Sequence, residues 1–104
     1  MSFRRYEIIL PTRHNDGSPI REENHLWVAD QLATEFGAYT FEPYPVRGVR
    51  SHQGVRFEEH NLRVYVDVED TPENAEFFVR LKQAIKERFR QIEIWIVSFE
   101  IPIT

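Results

Sequence analysis

Residues Ile92 to Ile103 read Ile-Glu-Ile-Trp-Ile-Val-Ser-Phe-Glu-Ile-Pro-Ile, a strand pattern that is apolar on both faces. Successive side chains of a strand point to opposite sides of the sheet. Ile92, Ile94 and Ile96 therefore share one face, and Trp95, Val97, Phe99 and Ile101 share the other. One layer of helices covers only one of them. The second face calls for a partner surface, and a further copy of the same chain supplies it most simply. Either row can be the one the helices leave uncovered, and the aromatic row, Trp95, Val97, Phe99 and Ile101, is taken as the candidate oligomer interface of a homodimer.

The rest of the chain alternates between strand and helix patterns. Tyr6, Ile8 and Leu10 alternate with Arg5, Glu7 and Ile9 in a first, half-buried strand that Pro11 ends. The loop that follows, residues 12–17, leads to Ser18-Pro19, which predicts a helix cap with proline at the first helical position. Leu26, Ala29, Leu32, Ala33 and Phe36 then recur at helical spacing, and Gly37 is a natural terminator. Residues 38–46 hold Tyr39, Thr40, Phe41 and Tyr44 and predict a second strand, placed at an edge or broken because Pro43 and Pro45 lack amide donors. A polar connection bracketed by Gly48 and Gly54 leads to a third strand, in which Leu62, Val64, Val66 and Val68 alternate with Arg63, Tyr65, Asp67 and Glu69. Thr71-Pro72 repeats the cap signal before a helix whose stripe is Phe77, Leu81, Ile85 and Phe89, widened by Phe78 and Ala84.

The order strand, helix, strand, strand, helix, strand predicts a ferredoxin-like α+β sandwich. Its four-stranded antiparallel sheet has the order 4-1-3-2, with both helices on one face. The expected core is Tyr6, Ile8, Leu10, Leu26, Leu32, Phe36, Phe41, Leu62, Val64, Val66, Phe77, Leu81, Ile85 and Phe89. With 104 residues, 41% of them hydrophobic, and no cysteine to staple smaller units, residues 1–104 read as a single domain. No apolar run is long enough to span a bilayer and no secretory h-region precedes the first strand, so the expected setting is the cytoplasm, away from membranes.

No motif names a reaction, and the catalytic residues stay unknown. Ser2, Ser18, Ser51 and Ser98 lie outside any Gly-x-Ser-x-Gly elbow, and the four glycines form no phosphate-cradling loop. His14, His25, His52 and His60 match no standard metal spacing, so neither a metal nor a cofactor is expected. Nucleic acid is also excluded as the expected partner. Net charge is −4, the first strand projects no stacking aromatic, and the third interleaves acids that repel phosphate.

Two polar groups remain as candidates for ligand binding. Arg13, His14 and Asp16 crowd a loop just past a strand end, where a histidine titrating near neutrality can be oriented by an acid. Arg47, Arg50 and His52 form a basic stretch that reads either as an anion-binding hairpin tip or as a solvated hairpin whose arginines pair with nearby acids. Tyr65 projects from the third strand as a further ligand contact.

Tyr6 to Leu10, a polar loop ending in Asp16-Gly17, a helix bearing Trp27, and Gly54 to Glu59 before a valine-rich strand resemble small bacterial single-domain families of unknown function. The chain is also loosely similar to the dimeric α/β-barrel proteins, which pair two such sheets face to face and include monooxygenases and small-molecule sensors. The resemblance implies architecture alone. Function therefore reads first as a non-enzymatic homo-oligomeric interaction or ligand-binding module. The alternative is a small enzyme or small-molecule sensor with a pocket near the loop after the first strand.

Overall fold

The structure, a computed structural model, describes residues 1–42 and 46–104, without the side chains at positions 46, 50, 52, 57 and 58. Along the chain run β1 (Phe3–Pro11), α1 (Glu22–Phe36), β2 (Thr40–Phe41), β3 (Val46–His52), β4 (Val55–Glu69), α2 (Pro72–Phe89) and β5 (Trp95–Ile101). The architecture is α+β: an antiparallel sheet with two helices. The order is β2-β4-β1-β5, and β3 joins β4 on the edge away from β1.

β1 is central, because it pairs with β4 from Phe3↔Glu69 to Pro11↔Asn61 and with β5 from Phe3↔Ile101 to Ile9↔Trp95. Its inward row, Tyr6, Ile8 and Leu10, is buried with Val64, Val66 and Val68 of β4. α1 adds Val28 and Leu32 to that core, and α2 adds Phe78, Leu81, Ile85 and Phe89. At one end the core is aromatic. Tyr6 stacks on Phe78 at 3.8 Å between ring centroids, and Phe36 meets Phe77 edge-on at 5.1 Å.

The sheet has five strands where the sequence pattern predicted four. Residues 46–52, of which those from Gly48 on were expected as polar connection, pair with residues 55–61 as a ribbon. Gln53 and Gly54 adopt φ 51° and 79°, the two left-handed positions of a tight hairpin turn. Gln-Gly is a weaker marker of that turn than Asn-Gly, and arginines interrupt the apolar alternation, so the hairpin expected around the basic stretch was legible but the length of its paired strands was not. The expected strand across residues 38–46 is reduced to Thr40–Phe41, and its break at Pro43 and Pro45 lies outside the described residues.

Two further expectations about the first helix are corrected. α1 starts at Glu22, with Arg21 as an N-cap whose side chain makes no capping bond, and not at Ser18-Pro19. Ser18 instead turns its amide and hydroxyl to Asp16, and Pro19 bridges Arg13 across the loop. Leu26 is 51% exposed, because the buried face runs through His25, Val28, Ala29 and Leu32. His25 escapes the cost of burial by donating from Nε2 to the Pro11 carbonyl at 2.9 Å, and its ring packs edge-on against Phe89. The second helix starts where the sequence places it, with the Thr71 side chain accepting from the Asn74 amide at 3.2 Å and Pro72 in the first turn.

The remaining expected core residues lie in the core or against it, with Phe36, Phe41, Leu62 and Phe77 half-buried at its margin. Phe89 is fully buried between the helices and beside His25. Phe89→Ala should cost about 3–5 kcal/mol of unfolding free energy in a denaturant titration. Thr71→Ala, which removes only a cap, should cost about 1 kcal/mol. A Phe89→Ala loss below about 1 kcal/mol would show that this helix face is not the core.

Candidate functional site

The end of β1 opens into a cleft of about 860 Å³. The pairing of β1 with both neighbours builds it. Opposite Pro11, β4 contributes Glu59, His60 and Asn61; opposite Ile9, the approach to β5 contributes Ile92, Glu93 and Trp95. The loop at residues 12–17 forms the third wall with Arg13, His14 and Asn15. The cleft thus lies where the loop after the first strand was expected to bind a ligand, at the strand ends and open to solvent.

That loop is held by its own backbone. The His14 amide donates to the Ser18 carbonyl at 2.8 Å, the Gly17 amide to the His14 carbonyl at 2.9 Å, and the Ile20 amide to the Thr12 carbonyl at 2.9 Å. Gly17 turns the chain at φ 87°, a conformation that L side chains rarely adopt. Arg13 donates to the Gly17 carbonyl at 2.8 Å. Thr12 ties the loop to β4 by donating its hydroxyl to the His60 carbonyl at 2.7 Å.

His14 meets Arg90, whose guanidinium donates to Nε2 at 3.3 Å. A guanidinium has no acceptor, so Nε2 must offer its lone pair and Nδ1 carries the proton. That Nδ1–H is buried and has no partner among the described residues. Arg90 stands there because it closes α2 in the left-handed conformation at φ 52°, which turns the helix end toward the loop. On the far wall, Glu93 accepts from Lys82 at 2.9 Å and from the Ile94 amide at 3.0 Å, and these bonds hold its carboxyl below the ordinary range.

The other candidates scatter. Asp16 folds back on Ser18 and does not line the cleft; the hydroxyl and amide of Ser18 lower its pKa, and the nearby charge of Arg90 acts the same way. Arg47 is exposed on β3, and the side chains of Arg50 and His52 lie outside the described residues. Tyr65 sits on the open face of the sheet, away from the loop, with the Arg5 guanidinium 4.4 Å above its ring. Sequence reasoning missed Ile92, Gln91, His60 and Asn61 as cleft residues, since only strand register brings them to His14. Ile92 was expected to share a strand face with Ile94 and Ile96. It is 86% exposed, because the chain leaving Arg90 joins the sheet only at Trp95.

The open face is split in two. Along β5 lie Trp95, 67% exposed, Val97, Phe99, 44% exposed, and Ile101. Across β1 and β4 lie charges paired within the chain. Arg5 forks onto Asp67 at 2.7 and 3.0 Å, and Arg63 bonds Glu42 and approaches Glu7 at 3.7 Å. Hydrogen bonds to these acids raise the pKa of both guanidinium groups.

No protein-family model matches the sequence, and no curated protein matches it. Solved structures do share its fold. The divalent cation tolerance protein CutA1 of Thermus thermophilus superposes with a TM-score of 0.67 at 19% identity, over 98% of this chain and 86% of that one. A phage SAM lyase in its apo state gives 0.67 at 18% identity, over 95% and 81%. A phage SAM lyase in complex with S-methyl-5'-thioadenosine gives 0.63 at 16% identity, over 98% and 90%. At such identities the likeness is one of fold.

The Asp16 turn should respond to acid. Its folded pKa is depressed, so the order it gives the loop is present above the ordinary carboxylate range and is lost as pH falls through the lowered value. The protection factor of the Ser18 amide against hydrogen exchange should therefore fall on acidification of the wild type. Asp16→Asn should remove most of that pH dependence, whereas an unchanged profile would show that the carboxylate does not hold the turn.

Proposed function

We propose that this chain is a self-assembling module, most simply a homodimer, with the cleft at the end of β1 as its ligand site. The observation that carries this reading is the row Trp95, Val97, Phe99 and Ile101, displayed on the sheet face opposite the helices. A second copy suits that row. The charges beside it are already paired inside the chain, so covering them leaves no ion without a partner. A self-complementary two-fold contact sets the apolar row of one copy against that of the other. Burial contributes roughly 25 cal/mol per Å² of apolar area before association costs.

A second reading is a small enzyme or sensor that acts in the same cleft. The fold likeness to phage SAM lyase, one structure of which holds S-methyl-5'-thioadenosine, favours it, as does a cleft large enough for a small molecule. The name of the divalent cation tolerance proteins suggests a cation. No three histidine, aspartate or glutamate side chains come together to hold one among the described residues. Nor is any helix of the described residues long and apolar enough to cross a membrane.

Light scattering at micromolar concentration tests the assembly. The wild type should have at least twice the mass of one chain, and Phe99→Glu should reduce it to one while leaving the fold intact by circular dichroism. A monomeric wild type would overturn the self-assembly reading. A Phe99→Glu protein that still associates would place the interface on another surface.

A further inference from the structure

The open face of the sheet is self-complementary about one point. Trp95, Val97, Phe99 and Ile101 are centred on Ser98, which lies level with Tyr6 of β1 and Val66 of β4. Turning a second copy over about a two-fold axis that crosses the strands at this level sets β5 antiparallel to its counterpart. Trp95 then faces the partner's Ile101, and Val97 faces the partner's Phe99. On β1 the same turn sets Arg5, level with Phe99, opposite the partner's Glu7, level with Val97. On β4 it sets Arg63, level with Ile9, opposite the partner's Glu69, level with Phe3. Apolar side chains meet apolar ones, and each of these cations meets an acid.

The area an interface needs selects this orientation. A stable contact takes about 800 Å² from each copy, more than two partly exposed rings and two aliphatic side chains of one strand supply. β1 and β4 must therefore be covered as well. With the two β5 strands parallel, setting row on row overlaps β5 alone. Sliding the copies until the sheets overlap sets the row on the charges of Arg63 and Asp67. Only the antiparallel arrangement covers the whole face while keeping row on row.

This register carries the partner's chain on to the cleft. Past Ile101 come Pro102 and Ile103, and Ile103 is exposed in the single chain. With Trp95 opposite the partner's Ile101, the partner's Ile103 arrives between Trp95 and Ile92. There Ile9, Ile92 and Trp95 form an apolar wall of the cleft, and Ile92 is its most exposed member.

We propose that two copies join with their β5 strands antiparallel and Ser98 at the two-fold, so that Ile103 of the partner subunit completes the apolar wall of each cleft. This inference deepens the self-assembly reading and rests on it: the cleft becomes a site shared between copies, closed on its apolar side by assembly itself.

The chain contains no cysteine, so introduced thiols report their own positions. Within one copy, positions 92 and 103 are held apart by β5, whose 7 residues span about 20 Å. A short bis-maleimide should therefore join Ile92→Cys to Ile103→Cys only between copies. The chain carrying both substitutions should give a covalent dimer at micromolar concentration, neither substitution alone should, and adding Phe99→Glu should abolish it. In the wild type, isotope-filtered NMR on a half-labelled sample should show contacts from the Trp95 indole to the partner's Ile101 and from Ile92 to the partner's Ile103. Contacts between the two Trp95 rings, or covalent dimers from either single substitution, would overturn the antiparallel register and leave self-assembly standing. So would an assembled wild type in which Ile92 makes no contact with the partner's Ile103. A wild type that is monomeric by light scattering would sink both readings together.

Discussion

Every other element depends on β1 being paired along both edges. Its nine residues bond β4 on one side and β5 on the other, so its inward row is fixed against the helices, and a one-residue slip would turn Tyr6, Ile8 and Leu10 to the open face. The same pairing decides where β1 must stop. Pro11 ends the strand, and the chain on either side of that end, Asn61 in β4 and Ile92 to Trp95 before and in β5, becomes the wall of a cleft. Core and candidate site follow from one register.

The ends of the sheet show how polar groups were placed to hold that register. At the start of β1, Arg4 reaches the Asp70 carboxylate at 3.1 Å and the Ser98 hydroxyl at 3.1 Å, which ties β1 to the residue after β4 and to β5 beyond the apolar core. On the open face Arg5 and Arg63 tie β1, β4 and the segment after β2 together. Each pair is partly open to solvent and individually weak, because water screens the attraction and holding two long side chains costs entropy. Together they satisfy charges on a sheet face that would otherwise discourage any partner.

Strict alternation made β1 and the second half of β4 legible in the sequence, and the step of four residues did the same for α2. Elements whose residues obey a neighbour more than a period were not legible. His25 is buried because Pro11 offers a carbonyl and Phe89 a ring, and neither neighbour is local in sequence. The start of α1 was misplaced because Ser18 has a better use, as the partner of Asp16 in a tight loop, than as a helix cap. The site was visible only in part: Arg13 and His14 announced themselves by composition. Arg90 did not, because its role comes from a left-handed helix end that no residue type requires.

The edges of this sheet bear on solubility. The outer edge of β5 has no strand beside it among the described residues, and an apolar edge of that kind invites indefinite strand addition from other chains. Pro102 follows the strand at once and removes an amide donor, and Glu100 puts a charge on the edge strand. The ribbon of β3 and β4 has arginines at positions 47 and 56 in the same role. Growth along the edge is thereby discouraged while the flat face of β5 stays open. The chain can keep an apolar surface without becoming a seed for fibres, since a two-fold contact between faces closes on itself and repeated strand addition at an edge does not.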